Sequence, residues 1–248
     1  MVKGLDTFRK YFADYEKQYV LIGGAACDIE FESNEASFRA TRDLDMVLII
    51  EALTPEFGGK LWQFILDGKY RNKSTNGEKP QFYRFDKPED DSFPKMIELF
   101  CRSDFELIKS EGITPIHIDD EISSLSAILL NDDYYKVLID GKVLRNGLSI
   151  LRPEYIILFK AKAYLDLKMR KEMGEKVDSS DIKKHKKDVL RIASELMLEK
   201  IEDLPTTVNA DIHNFIQALD KEPFDQNSLK EYGLKNEDVV NLLKQIYE

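Results

Sequence analysis

Cysteine and histidine are scarce in this 248-residue chain, with two of the first and three of the second. Cys27 and Cys101 cannot build a disulfide framework, and alone they cannot complete a four-ligand zinc site. His117, His185 and His213 stand far apart, so no zinc-type spacing exists. No apolar run approaches the roughly 18 residues that would nominate a membrane span. The stretch 1–16 alternates charges and aromatics and has no apolar core of a secretory signal. Internal repeats and low-complexity segments are lacking too. What remains is a globular mixture, 43% hydrophobic and 33% charged, long enough for one large domain or two modest ones. A cytoplasmic protein is expected. Lys and Arg number 36 against 46 Asp and Glu, a formal charge of −10. That balance argues against non-specific nucleic-acid binding over the whole surface and leaves room for a local basic site.

Periodicity predicts a helix over 5–17, with Leu5, Phe8, Phe12 and Tyr15 on one face, then a buried strand at Tyr19–Ile22. Gly23-Gly24 ends the strand and a short helix over 25–29 follows; 32–36 reads as a polar loop. A second strand is expected over 43–50, a helix over 55–68 and a loop over 71–80. Further strands are predicted at 82–85 and 96–101, and at 113–118, where Pro115 confines the strand to an edge. A helix over 121–130, a strand over 135–139 and a hairpin turn at Asp140-Gly141 complete this half. After Pro153 the pattern becomes helical, over 154–170, 181–200, 210–219 and 236–247. The expected architecture is an α/β (α+β) domain with a mixed sheet over 1–150 and a helical domain over 151–248.

The chemistry-bearing stretch is Val20-Leu-Ile-Gly23-Gly24, followed by Asp43-Leu-Asp45. A strand ending in Gly-Gly lets backbone N–H groups approach a ligand, and a helix starting there adds a dipole end suited to phosphate. Asp43 and Asp45, two apart on a strand, point to one face about 7 Å apart. Paired carboxylates at the end of a buried strand are costly unless a cation neutralises them. Hard divalent metals use such oxygen ligands and commonly hold substrate phosphates as well. Glu98 is a third acid, isolated within Met96-Ile-Glu-Leu-Phe100. The competing reading places the Asp pair at a solvated strand end and Glu98 on a wetted edge strand. Arg39, Thr41 and Arg42 precede the pair, and Arg39 or Thr41 can contact triphosphate oxygens.

In the helical half, Ile156, Ile157, Ala163, Tyr164 and Leu167 form an apolar arc with Lys160 at its centre. Such a lysine either finds an anion or snorkels to water. Lys162 faces away. On the next helix, Ile182, Val189, Ile192, Ala193 and Leu196 form the core face and include His185, with Asp181 and Asp188 at one edge. Asp188 either orients an attacking hydroxyl or forms an ordinary helix pair with Lys184 or Arg191. The segment 168–187 gathers eight basic and four acidic residues, a surface for an RNA backbone or simply a solvated face.

Gly-Gly after a strand, Asp-x-Asp on the next strand and a lone acid on a later one resemble the DNA polymerase β-like nucleotidyltransferase superfamily. The spacing from Gly24 to Asp43 is longer than usual there, an excess assigned to the polar loop near 32–36. Leu151-Arg-Pro-Glu-Tyr-Ile-Ile-Leu-Phe-Lys160-Ala-Lys-Ala and Asp181-Ile-Lys-Lys-His185-Lys-Lys-Asp188-Val are similar to the helical half of AbiEii-like nucleotidyltransferases, which include type IV toxin–antitoxin toxins. The resemblance implies a nucleotidyltransferase fold whose helical domain completes the nucleotide cleft. It implies Mg²⁺ (or Mn²⁺) on Asp43, Asp45 and Glu98, phosphates at Gly23, Gly24 and Lys160, and Asp188 as a late catalytic acid. The implied reaction moves an NMP from an NTP to an acceptor hydroxyl of tRNA or a protein, with a cognate antitoxin as partner. Two other readings stay open: a small-molecule (aminoglycoside-type) transferase, and a catalytically weak nucleotide-sensing or protein-binding module.

Overall fold

The computed structural model describes residues 2–33, 43–72, 84–102, 105–109, 112–116, 128–129 and 131–248. Arg39, Thr41, Arg42 and His117 lie outside the described residues, as do 73–80 and most of the helix expected over 121–130. The chain divides into two compact units: Met1–Ile122 with Lys142–Arg152, and Ser123–Gly141 with Pro153–Glu248.

In the first unit, α1 (Leu5–Tyr11) precedes β1 (Tyr19–Ile22), α2 (Gly23–Ser33), β2 (Asp43–Leu48) and α3 (Pro55–Asp67). The short strands β3 (Arg71–Asn72) and β4 (Arg84–Asp86) come next, followed by β5 (Met96–Phe100), β6 (Phe105–Lys109) and β7 (Gly112–Ile116). After an excursion into the second unit the chain returns as β8 (Lys142–Arg145) and β9 (Leu148–Leu151). Seven strands form one mixed sheet in the order β3-β4-β5-β2-β1-β9-β8. Within it β2 runs antiparallel to β1 and parallel to β5, and β9 runs parallel to β1. The β6–β7 pair stands as a separate two-stranded sheet, where Pro115 costs no central ladder bond.

Aromatic packing explains why one sheet face is closed. Phe8 and Phe12 of α1 meet Tyr19 at centroid distances of 5.4 and 6.2 Å, and Phe64 of α3 meets Phe8 at 5.7 Å. Trp62 of α3 sits edge-on to Phe85 of β4 at 6.0 Å. Each such pair adds about 0.5–1.5 kcal/mol beyond the area it buries. Thr54 caps α3 by accepting the Phe57 N–H, with Pro55 in the first turn. The helix α1 ends six residues earlier than the periodicity suggested, because Asp14 takes a left-handed φ of 75° and turns the chain. Gly23 itself opens α2, which extends to Ser33 through part of the expected loop.

The second unit contains α4 (Asp132–Asp140), α5 (Pro153–Glu172), α6 (Ser179–Glu195), α7 (Thr206–Lys221), α8 (Gln226–Glu231) and α9 (Asn236–Tyr247), and no strand among the described residues. The strand expected over 135–139 is therefore wrong: those residues belong to α4. Asn131 caps it by accepting the N–H groups of Asp133 and Tyr134, and the buried Tyr134, Tyr135, Val137 and Leu138 fit a helix face. Gly141 ends that helix, so Asp140-Gly141 is no hairpin. The hairpin falls at Asn146-Gly147, between β8 and β9, where φ values of 50° and 74° give the two left-handed residues a tight turn needs. No helix among the described residues is long and apolar enough to cross a membrane.

Candidate active site

The polar face of the large sheet holds the acids. Along β2 the alternation is strict at first: Asp43 and Asp45 are half-buried, and Leu44 and Met46 are fully buried on the other side. Directly paired residues on neighbouring strands share a face. Asp45 pairs with Glu98 on β5, and Glu98 with Arg84 on β4. One row earlier Asp43 pairs with Met96, and Met96 with Asp86. Asp43, Asp45, Glu98, Asp86 and Arg84 thus occupy one face. The opposite face carries Leu44, Ile97 and Phe85, where Trp62 packs.

Gly23 completes the geometry beside Asp45. Its φ is +62°, and a methyl group added there would overlap the Asp45 carboxylate oxygen. The glycine therefore lets that carboxylate lie against the backbone at the point where β1 becomes α2. Further along α2, the buried Glu30 accepts from Arg145 of β8 at 3.1 Å, anchoring the helix to the sheet edge. Sequence reasoning missed this pair because its partners are 115 positions apart.

Chemically, Asp43, Asp45 and Glu98 are the donor set a hard divalent cation takes, and strand pairing brings them to one face. Their side chains are not gathered into a ready metal site, however. Among the described residues no three His, Cys, Asp or Glu side chains are close enough to hold a metal ion. Glu98 instead forms an ion pair with Arg84, a residue the sequence reading passed over. The motif Arg84-Phe-Asp86 shows alternation, but only the strand register reveals that Arg84 stands opposite Glu98.

Lys160 and Asp188 belong to the second unit, and the structure joins them. Lys160 Nζ donates to Asp188 Oδ2 at 2.8 Å, with the residues 9% and 3% exposed. Asp188 lies inside the α5–α6 packing and not at its edge, and Arg191 pairs with Glu195 at 3.2 Å. Lys162 reaches Asp166 and Asp211 at 3.1 and 3.2 Å. Burial disfavours its ammonium, but the bonds and charges of these two carboxylates prevail and raise its pKa. His185 is half-buried on α6.

The basic stretch is partly spent on the protein itself. Glu222 accepts from Lys168 at 2.7 Å and from Tyr164 at 2.8 Å, which holds its carboxyl below the usual range. Lys186 donates to the Pro223 carbonyl at 2.9 Å, and burial lowers its pKa. Tyr164, Lys168, Lys186 and Glu222 line an open groove of about 640 Å³, together with Lys171 and Lys183.

No protein-family model matches the chain, and neither the curated proteins nor the solved structures include a significant match.

Proposed function

We propose that the chain is a metal-dependent nucleotidyltransferase with a DNA polymerase β-like fold, of the AbiEii-like toxin type. The observation that carries this reading is the face shared by Asp43, Asp45 and Glu98, set beside a glycine pair that opens a helix. Asp43, Asp45 and Glu98 would hold Mg²⁺ or Mn²⁺, which would supply neutralisation of the triphosphate charge. Gly23 and Gly24 offer backbone N–H groups at the start of α2 to the phosphates. An acceptor hydroxyl on tRNA or a protein attacks the α-phosphorus; the new P–O bond replaces the one to pyrophosphate, which departs. Positioning and charge neutralisation supply most of the rate. The family resemblance assigns Lys160 to phosphate and Asp188 to the hydroxyl, and those roles require their mutual ion pair to open. The reading carries with it a cytoplasmic site of action and a cognate antitoxin.

A second reading has its own support. Glu98 and Lys160 are each engaged by a protein partner, as in a catalytically weak nucleotide-sensing module of the same fold. One assay separates the two. The protein is incubated with each labelled NTP, Mg²⁺ and total tRNA, beside an Asp43→Ala/Asp45→Ala control. Label transferred to RNA or protein by the wild type alone supports the transferase. Metal-dependent NTP binding without transfer supports the module, and no such binding sinks both.

A further inference from the structure

The helical unit carries a basic surface of its own. Two open grooves, of about 640 and 410 Å³, share Lys183 and Lys186 in their walls. Lys168 and Lys171 of α5 border the larger, and Lys187 the smaller. On α6 the lining residues run from Ser179 to Leu190, a stripe of about 16 Å at a rise of ~1.5 Å per residue. Five lysines and three acids, Glu172, Glu222 and Asp225, line the two grooves, a local reversal of sign in a chain of formal charge −10. Two of the acids have fixed employment: Glu222 pairs with Lys168 at 2.7 Å, and Asp225 accepts the Ser228 N–H at 2.9 Å. Lys171 donates to the Ser179 hydroxyl and Lys186 to the Pro223 carbonyl, neutral oxygens that cancel no charge. Lys183 and Lys187, one turn apart on α6, are exposed.

A second feature adjoins the lysines. Met169 and Met173 at the end of α5 are 49% and 71% exposed, stacked one turn apart by the Met173 N–H on the Met169 carbonyl at 3.0 Å. Met169 stands about 60° round the helix from Glu172, on the shoulder of the larger groove. Exposed methionines adapt to apolar side chains of varied shape. We propose that this surface docks an acidic segment of a protein partner, with its carboxylates on Lys171, Lys183 and Lys187 and its apolar side chains on Met169 and Met173. About five extended residues at ~3.3 Å each match the length of the stripe. Nucleic acid is the poorer match. The Tyr164 and Phe224 rings are each 2% exposed, so bases find no aromatic face to stack on, and a phosphate backbone has no use for the methionines. Docking here goes beyond nucleotidyl transfer and does not depend on it.

Fluorescence anisotropy on the full-length protein tests this with three labelled probes: a peptide in which Glu and Leu alternate, its Lys–Leu counterpart and an oligouridine. The Glu–Leu peptide is expected to bind best of the three, and more weakly in ~0.5 M NaCl. Lys183→Glu/Lys187→Glu should weaken that binding about tenfold or more. Met169→Ser/Met173→Ser should weaken it about threefold. All four side chains are exposed, so the melting temperatures should stay near wild type. Should the charge-reversed variant fail to fold, Lys183→Gln/Lys187→Gln takes its place in the same titration. No binding of the Glu–Leu peptide by wild type, or equal binding of the Lys–Leu peptide, overturns the proposal. Glu–Leu binding that survives unchanged in either folded double variant overturns it as well. Oligouridine that binds tighter than the peptide and is lost on lysine replacement overturns it in favour of a nucleic-acid backbone. Each of these results leaves the transferase reading where it stood, because labelled-NTP transfer is read separately.

Discussion

Two ion pairs in this molecule join similar groups and differ in almost everything else. In the sheet unit, Arg84 and Glu98 meet across neighbouring strands on a half-buried face crowded with other acids. In the helical unit, Lys160 and Asp188 meet 28 residues apart between two packed helices, both nearly sealed from water. Water decides what each pair can do. On the half-buried face charges are partly screened, so each partner there depends less on the other. In the interior neither charge can be left alone without a desolvation penalty of several kcal/mol, so each partner fixes the other.

The sharpest way to break this contrast is to remove a charge from each place. Under the proposed function, Asp45→Ala should lower nucleotidyl transfer by about a thousandfold or more. Its unfolding free energy should stay within about 1 kcal/mol of wild type, because the lost carboxylate is half-exposed and like-charged neighbours remain. A large loss of stability in denaturant titrations would place Asp45 with the structural charges. Asp188→Leu should behave in reverse and lose about 3–5 kcal/mol of stability, since Lys160 is left buried and unpaired. The double variant Lys160→Met/Asp188→Leu should regain most of that loss in the same urea titration. Failure to regain it would mean the pair does more than satisfy itself.

Smaller effects refine the picture. Gly23→Ala forces an L-residue to φ +62° and pushes a methyl group into the Asp45 carboxylate. A cost of about 1–3 kcal/mol is expected, together with weaker Mn²⁺ binding, read by thermal melts with and without metal. The smallest effect lies at Glu222, whose carboxyl is held low by hydrogen bonds from Lys168 and then Tyr164. A depressed carboxylate contributes stability that is present above its unfolded pKa of about 4.3 and lost as pH falls through the lower folded value. The Glu222 side chain is half-exposed, so the contribution should stay below about 1 kcal/mol. Melts of wild type and Glu222→Gln should differ at pH 7 and converge toward pH 3. A gap that widens on acidification would contradict the direction assigned.

The acids of β2 were legible in the sequence because alternation in a strand is local: Asp43 and Asp45 flank Leu44, and the pleat does the rest. Tyr19–Ile22 and Asn236–Tyr247 were legible too, the first as a short apolar run between breakers, the second by its period. The segment around Tyr135 misled because five residues cannot distinguish the two periods. The deciding feature was the capping asparagine upstream, Asn131. Asn146-Gly147 carries the same kind of hairpin signal as Asp140-Gly141, and it is the one flanked by two paired strands. Arg84, Glu30 with Arg145, and the Lys160–Asp188 pair were illegible for a common reason. Each depends on which strand or helix lies beside which, and one sequence does not state that.

The return of β8 and β9 to the first sheet bears on how this chain can be cut. The polypeptide leaves the sheet unit, builds α4 in the helical unit, and comes back before leaving again. Neither half is a cassette. A fragment ending at Gly141 would expose the flank of β1 where Ile150 now pairs with Leu21. One starting at Pro153 would lack the helix whose Tyr134 hydroxyl reaches Asp211 at 3.0 Å. The chain passes between the units three times, so neither can be cut out as one continuous segment, and the acids on β2 cannot be inherited on a fragment that stops before β9 without losing part of their sheet.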